Sequence, residues 1–138
     1  MLDITEASRN ATRQRLERLR ARLASVGVDG FIVPHADEHQ SEYLPASAER
    51  LAWLTGFTGS AGVAIVLADR AAIFVDGRYT LQARSEVDAG SFSQEHLTET
   101  PPAKWLAANV QPGARVGYDP WLMTVGDVRR YAEACKGA

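Results

Sequence analysis

The chain has a single cysteine among its 138 residues, and this scarcity excludes several kinds of site. Cys135 cannot form an internal disulfide, and there is no group of thiols to bind zinc. No apolar run approaches the roughly 20 residues that a membrane-spanning helix needs. The first residues also lack the basic stretch and apolar run that together mark a secretion signal. These absences predict a soluble, cytoplasmic domain with no membrane partner.

An excess of charge of one sign is also missing. The 15 lysines and arginines and 17 aspartates and glutamates give a formal net charge of −2. A charge this small provides no long-range attraction for nucleic acid or anionic lipid. The one concentration of arginines, at residues 13–22, alternates with apolar residues and is typical of a solvated helix face. We therefore expect no nucleic-acid partner.

Hydrophobic patterning predicts one α/β domain, a mixed β-sheet flanked by helices. A helix over residues 5–26 is indicated by apolar residues at three- and four-residue spacing, and Gly27 suits its left-handed cap. Its predicted apolar stripe is Leu16, Leu19, Leu23 and Val26. A second helix should begin at Ala48 with Ser47 as its N-cap. Its predicted buried face contains Leu51, Leu54 and Trp53.

Short apolar runs predict the strands. Residues 31–33 form one strand, and residues 63–67 and 71–75 form a hairpin buried on both faces. The remaining elements are a helix at 79–87, a strand at 92–97, a helix after Pro101, a strand at 115–118 and a helix capped by Thr124. This alternation predicts a mixed sheet covered by helices. A further strand would be expected after the last helix, so we expect residues 1–138 to be one domain of a longer protein.

Three polar or glycine-rich segments lie between the apolar strands. They are DEHQSEY at 37–43, GFTGSAG at 56–62 and DGRY at 76–79. The acidic residues and His39 of the first segment lie on one loop without a further His or Cys nearby, which favours a solvated loop over a metal site. The glycines of the second segment follow a helix and precede a strand, the reverse of a phosphate-binding turn. Ser60 has no base beside it, so we predict no catalytic residue and no metal ligand in this chain.

Arg78 is the strongest candidate for a binding residue. It follows the end of a strand and a glycine, so its guanidinium can project from the rim of the sheet. There it can bind a carboxylate or a carbonyl through two parallel hydrogen bonds. The alternative is that Arg78 pairs with Asp76 and only fixes the turn. The residues alone leave both interpretations open, and Arg50 has the same ambiguity.

The order of the three segments resembles the N-terminal domain of Xaa-Pro aminopeptidase (aminopeptidase P), most closely its cytosolic three-domain form. The sequence VGYDP at 116–120 is similar to a later landmark of that family. The resemblance implies a non-catalytic creatinase/prolidase-type domain, followed later in the chain by a metal-dependent catalytic domain with the pita-bread fold. The resemblance further implies that the catalytic domain holds two divalent metal ions, usually manganese, which activate water to hydrolyse the bond before proline.

The resemblance also implies roles for individual residues. Arg78 corresponds to a substrate-binding arginine, while Arg50 and Tyr79 correspond to residues that line the cleft. Asp37, His39 and Asp76 match the family motifs without an assigned role. The implied partners are a peptide with proline at its second position and a second copy of the protein, as a homodimer.

Two alternatives remain open at this point. The domain could come from a creatinase or a prolidase, which share its plan, or it could be a non-catalytic module that binds protein or peptide. Metal-ligating residues downstream would favour an enzyme. The isolated chain is expected to be inactive in either case.

Overall fold

The computed structural model describes residues 5–35 and 50–136. In chain order its elements are α1 (Glu6–Ser25), β1 (Gly30–Pro34), α2 (Arg50–Thr55), β2 (Gly62–Leu67), β3 (Ala71–Val75), a 3₁₀ turn (Gly77–Tyr79), α3 (Thr80–Glu86), β4 (Ser93–His96), α4 (Pro102–Asn109), β5 (Val116–Tyr118) and α5 (Val125–Ala134). The predicted Ser47 cap and the polar segment at 37–43 lie outside the described residues.

The strands form one mixed sheet in the order β4-β3-β2-β1-β5. β2 pairs antiparallel with both β1 and β3, whereas β3 pairs parallel with β4 and β1 parallel with β5. Within the described part of the chain, β1, β3, β4 and β5 therefore run in one direction and β2 runs against them. The prediction of a mixed α/β sheet is confirmed.

Helices cover both faces of this sheet, and each face has its own core. On the first face α1, α2 and α3 contribute Leu16, Leu51, Leu54 and Ala83 to a cluster with Val33, Val66 and Ile73. On the second face α4 and α5 pack Leu106, Val128 and Tyr131 against Ile32, Ile65 and Phe74. The hairpin strands β2 and β3 are buried along nearly their whole length, as predicted.

The predicted helix over residues 5–26 is present, but its apolar stripe is displaced by one turn. Thr5 caps α1 by accepting a hydrogen bond from the Ser8 backbone at 3.1 Å, and Gly27 follows it with a φ of 75°. Val26 is 55 % exposed, so its assignment to the stripe is wrong. It lies beyond the last helical residue and no longer follows the helical period, whereas Thr12 is buried at the other end of the stripe.

The buried face of α2 is also narrower than predicted. Leu51 and Leu54 are buried, but Trp53 is 53 % exposed, so its assignment to the core is wrong. Successive residues of a helix differ by about 100° in direction, and Trp53 therefore points away from its buried neighbour Leu54. The Trp53 ring instead lies 4.9 Å from the Arg15 guanidinium carbon. Thr55 completes the buried face and donates its hydroxyl to the Leu51 carbonyl at 2.7 Å.

The second half of the chain follows the predicted order. The helix predicted at 79–87 is present as α3, which begins one residue later because Tyr79 belongs to the 3₁₀ turn. Thr124 caps α5 in a reciprocal pair of hydrogen bonds with Asp127, as a capping box does. No helix within residues 5–35 and 50–136 combines the length and the apolar character needed to cross a membrane.

Candidate functional site

The carboxyl ends of the four parallel strands meet at one edge of the sheet. His35, Asp76, Leu97 and Asp119 each follow the last residue of one of these strands, and β2 begins at the same edge. We call this the carboxyl edge. In open α/β sheets, ligands bind in crevices outside the carboxyl ends of the strands. The glycine-rich segment at 56–62 and the DGRY segment at 76–79 both lie here, so the edge is the candidate site.

Asp76 and Arg78 form the centre of this site. One oxygen of Asp76, Oδ1, accepts hydrogen bonds from the Arg78 backbone N–H at 2.9 Å and from Arg78 Nε at 3.0 Å. The guanidinium carbon also lies 5.3 Å from the centre of the Tyr79 ring. The internal pairing with Asp76 is thus present, yet the Arg78 side chain is 67 % exposed. Arg78 is therefore both paired with Asp76 and exposed to solvent at the carboxyl edge.

These contacts alter the acidity of Asp76. The Arg78 backbone N–H contributes most, the guanidinium hydrogen bond comes second, and together they hold the pKa of Asp76 below its usual value. Hydrogen bonds to a carboxylate stabilise its charged form, which explains the direction of the shift. Asp76 is therefore ionised at neutral pH and available to orient Arg78.

His96 joins the site through the parallel pairing of β3 with β4. Val75 pairs with His96, and a Cβ atom added to Gly77 would lie 3.0 Å from His96 Nε2. His96 Nδ1 accepts a hydrogen bond from the Thr98 backbone at 3.2 Å, which leaves the proton of the neutral ring on Nε2. Nothing local in the sequence indicates which strands pair, so the sequence alone does not connect His96 with the DGRY segment. A residue with a Cβ atom at position 77 would require the His96 ring to shift by a few tenths of an ångström.

Tyr79 contacts both the core and the glycine-rich segment at 56–62. Its hydroxyl lies 2.6 Å from Ser60 Oγ, and its ring packs edge-on against Phe57 with centroids 5.6 Å apart. A Cβ atom on Gly59 would lie 2.3 Å from the Phe57 ring. The absence of a side chain at Gly59 therefore permits close packing of the Phe57 ring. Nothing in the sequence indicates the hydrogen bond between Ser60 and Tyr79.

The other end of the carboxyl edge carries a second ion pair, between Arg50 and Asp119. Burial raises the pKa of Asp119, but hydrogen bonds from the Trp121 backbone and from Arg50 outweigh it, so the pKa lies below its usual value. Asp119 follows β5 and Arg78 follows β3, three strand spacings away, or about 14 Å along the edge. Arg50 and Arg78 therefore belong to separate ion pairs at opposite ends of the edge.

The described residues of the carboxyl edge do not form a metal site. Within residues 5–35 and 50–136, no three His, Cys, Asp or Glu side chains gather closely enough to hold a metal ion. Asp37 and His39 fall outside those ranges. The described residues therefore do not fit the pair of metal ions that the family resemblance implies, and no chemical step is assigned to a metal in this chain.

The Asp76–Arg78 contact gives a measurable titration. We expect the NMR midpoint of the Asp76 carboxyl group to lie below the ordinary value of about 3.9. In Arg78→Ala the midpoint should rise only part of the way, because the residue at 78 still donates its backbone N–H. The stabilisation from a lowered pKa is present above the unfolded-state value and is lost as the pH falls through the folded-state value. An unchanged midpoint in Arg78→Ala would contradict the observed pairing.

Comparison with known proteins agrees with the observed fold. The family model described as the creatinase/prolidase N-terminal domain matches residues 15–138. The chain belongs to this family. Its membership accounts for the mixed sheet and confirms the resemblance found in the motifs.

Relatives of this creatinase/prolidase N-terminal domain include Xaa-Pro aminopeptidases. Xaa-Pro aminopeptidase 2 of Homo sapiens is 36 % identical over 127 residues, which cover 92 % of this chain and 19 % of that protein. Probable Xaa-Pro aminopeptidase P of Arthroderma otae is 42 % identical over 127 residues, covering 91 % of this chain and 20 % of that protein. The chain thus spans about a fifth of the length of these relatives.

A solved structure supports the same relationship. X-prolyl aminopeptidase from Caenorhabditis elegans matches with a TM-score of 0.82 and 27 % sequence identity, over 91 % of this chain and 22 % of that protein. That protein is described as a cytosolic enzyme with a di-nuclear active site.

Proposed function

We propose that this domain is the peptide-binding part of a metal-dependent Xaa-Pro aminopeptidase, a hydrolase that removes the N-terminal residue preceding proline. The names of its relatives support this reaction. We assign the di-nuclear centre, with manganese as the metal, to a catalytic domain outside this chain. We further propose that the full protein is cytoplasmic and forms a homodimer to which this domain contributes.

The exposed Arg78 at the carboxyl edge is the observation that carries this proposal. A guanidinium presents several N–H donors in a planar fork, and the Nε of Arg78 donates to Asp76. A peptide carbonyl or a terminal carboxylate can accept from such a fork, and a carboxylate can do so through two parallel hydrogen bonds. Asp76 limits the rotation of the side chain before the peptide arrives, which lowers the entropic cost of binding.

Because this domain would bind the peptide and another domain would carry out hydrolysis, the proposal predicts which kinetic constant depends on Arg78. A metal centre in the catalytic domain would supply an activated water, whereas this chain would supply contacts that bind the peptide. Arg78 contacts a part of the peptide that does not react, so its contribution is similar in the ground state and in the transition state. Losing this contact should therefore raise KM more than it lowers kcat.

Arg78→Ala in the full-length enzyme tests this function. We expect kcat/KM for an Xaa-Pro peptide to fall by about 10- to 100-fold, the range for a lost hydrogen bond to a charged group. Most of the change should appear in KM. The measurement is steady-state hydrolysis of a proline-containing oligopeptide at several concentrations.

Two further variants make the result specific. Arg84 is an exposed arginine on α3, six residues further along, and Arg84→Ala should leave the kinetics unchanged. Arg78→Lys should fall between wild type and Arg78→Ala, because an ammonium group keeps the charge and loses the fork. Kinetics of Arg78→Ala equal to those of wild type would reduce Arg78 to a structural part of its turn.

A further inference from the structure

Trp121 differs from the other two tryptophans in its surroundings. Trp53 lies against the Arg15 guanidinium, and Trp105 packs edge-on against Phe74. Trp121 is 71 % exposed, and no described residue makes a ring or cation contact with it. An indole is the largest apolar side chain, so leaving it in water has a free-energy cost that binding of another apolar group would remove.

The turn that carries Trp121 is held firmly. Its backbone N–H donates to Asp119 Oδ1 at 2.9 Å, and the Leu122 N–H donates to the Asp119 carbonyl, also at 2.9 Å. Arg50 pairs with the same carboxylate, and Leu122 is buried directly after the exposed ring. The backbone at 121 is thus fixed before any ligand binds, which favours a contact surface over a loose loop.

The position of Trp121 matches that of Arg78 at the other end of the carboxyl edge. Trp121 lies three residues beyond the end of β5, and Arg78 lies three residues beyond the end of the parallel strand β3. Three strand spacings, about 14 Å, separate the two strand ends. A peptide in the polyproline II conformation rises about 3.1 Å per residue, so four to five residues span this distance.

We propose that Trp121 is a specificity-determining residue that binds a proline ring of an extended peptide whose chain also contacts Arg78. This inference rests on the proposed function. A proline ring is compact and apolar, and proline-rich segments dock on aromatic surfaces in a conformation that they already hold when free. Trp121 then favours longer substrates that have a proline four to five residues from the peptide residue bound by Arg78.

The experiment compares two hexapeptides of equal length in the full-length enzyme. Both begin with Ala-Pro-Ala-Ala, and they end in Pro-Pro or in Gly-Gly. The wild type should prefer the Pro-Pro peptide in kcat/KM, and Trp121→Ala should lower this preference about tenfold, equivalent to about 1.4 kcal/mol. Trp121→Phe should keep most of the preference because it retains an aromatic face, whereas Trp121→Leu should lose most of it.

Trp53→Ala is the matched control, since it removes an exposed tryptophan from α2 that lies against Arg15. It should leave the preference unchanged. An unaltered preference in Trp121→Ala, while both peptides are still cleaved, would overturn this inference and leave the proposed function intact. If the wild type cleaves neither peptide, the proposed function fails and this inference fails with it.

A second measurement separates peptide binding from burial against another surface. Melting temperature and light-scattering mass of Trp121→Ala should equal those of the wild type, because the ring is exposed in the free protein. A lower melting temperature or an altered mass would mean that another domain or a second copy covers Trp121, and it would overturn the inference.

Discussion

Replacing Phe57 by alanine should lower the free energy of unfolding of this chain by about 3 to 5 kcal/mol. Phe57 is only 1 % exposed, and it lies in the first core directly beneath the carboxyl edge. Its ring packs against Tyr79, and Cβ atoms on Gly59 and Gly62 would lie 2.3 and 3.1 Å from it. The tight surroundings leave little room for neighbours to collapse into the cavity. Denaturant titration measures the loss.

Phe92→Ala is the matched control for this substitution. Phe92 is equally buried in the same core, and so a similar loss of stability is expected. Only Phe57→Ala removes the ring that supports Tyr79, so only it should shift the NMR signals of Tyr79 and Ser60 in conditions where both variants are folded. A stability loss below about 1 kcal/mol for Phe57→Ala would contradict the packing.

Gly56→Ala should lower the free energy of unfolding by about 3 kcal/mol, from two separate causes. Gly56 has a φ of 84°, a left-handed conformation that costs a residue with a Cβ atom about 1 to 2 kcal/mol. The added Cβ would also lie 2.7 Å from the backbone oxygen of Glu86. The Glu86 side chain holds this region closed, because it accepts hydrogen bonds from the backbone and hydroxyl of Thr58. The chain must therefore shift to admit the methyl group.

Gly27→Ala separates the two causes. Gly27 has a φ of 75°, yet an added Cβ would meet no atom within 4 Å. This variant should therefore show the conformational cost alone, about 1 to 2 kcal/mol. If thermal or denaturant unfolding gave the same loss of unfolding free energy for both variants, the backbone around Glu86 would be shown to accommodate the methyl group at no free-energy cost.

The sequence predicts the local parts of this fold well and its long-range contacts poorly. The caps of α1 and α5 and the β2–β3 hairpin follow from residues a few positions apart. The Arg50–Asp119 ion pair joins residues 69 positions apart, and no pattern in the chain indicates it. The approach of His96 to Gly77 depends on the parallel pairing of β3 with β4, which is equally hidden.

The candidate site shows the same contrast between local features, which the sequence predicts, and long-range contacts, which it does not. The motif order directs attention to Arg78, and the strand end before it predicts a position at the rim of the sheet. Its ion pair with Asp76 was one of two alternatives that the residues left open, and the exposed side chain is compatible with both. Trp121 has no sequence signal of its own, because its importance comes from exposure on a rigid turn.

The parallel pairing of β1 with β5 also affects the order in which the chain folds. The hydrogen bond from the Arg115 backbone to Asp29, beside this pair, closes a loop between residues 86 positions apart. The β2–β3 hairpin closes through a short turn and loses far less chain entropy on forming. Contacts between distant residues form slowly because that entropy is lost before the contacts stabilise the chain. The centre of the sheet should therefore form early, and the end that bears Trp121 should be the last to become structured.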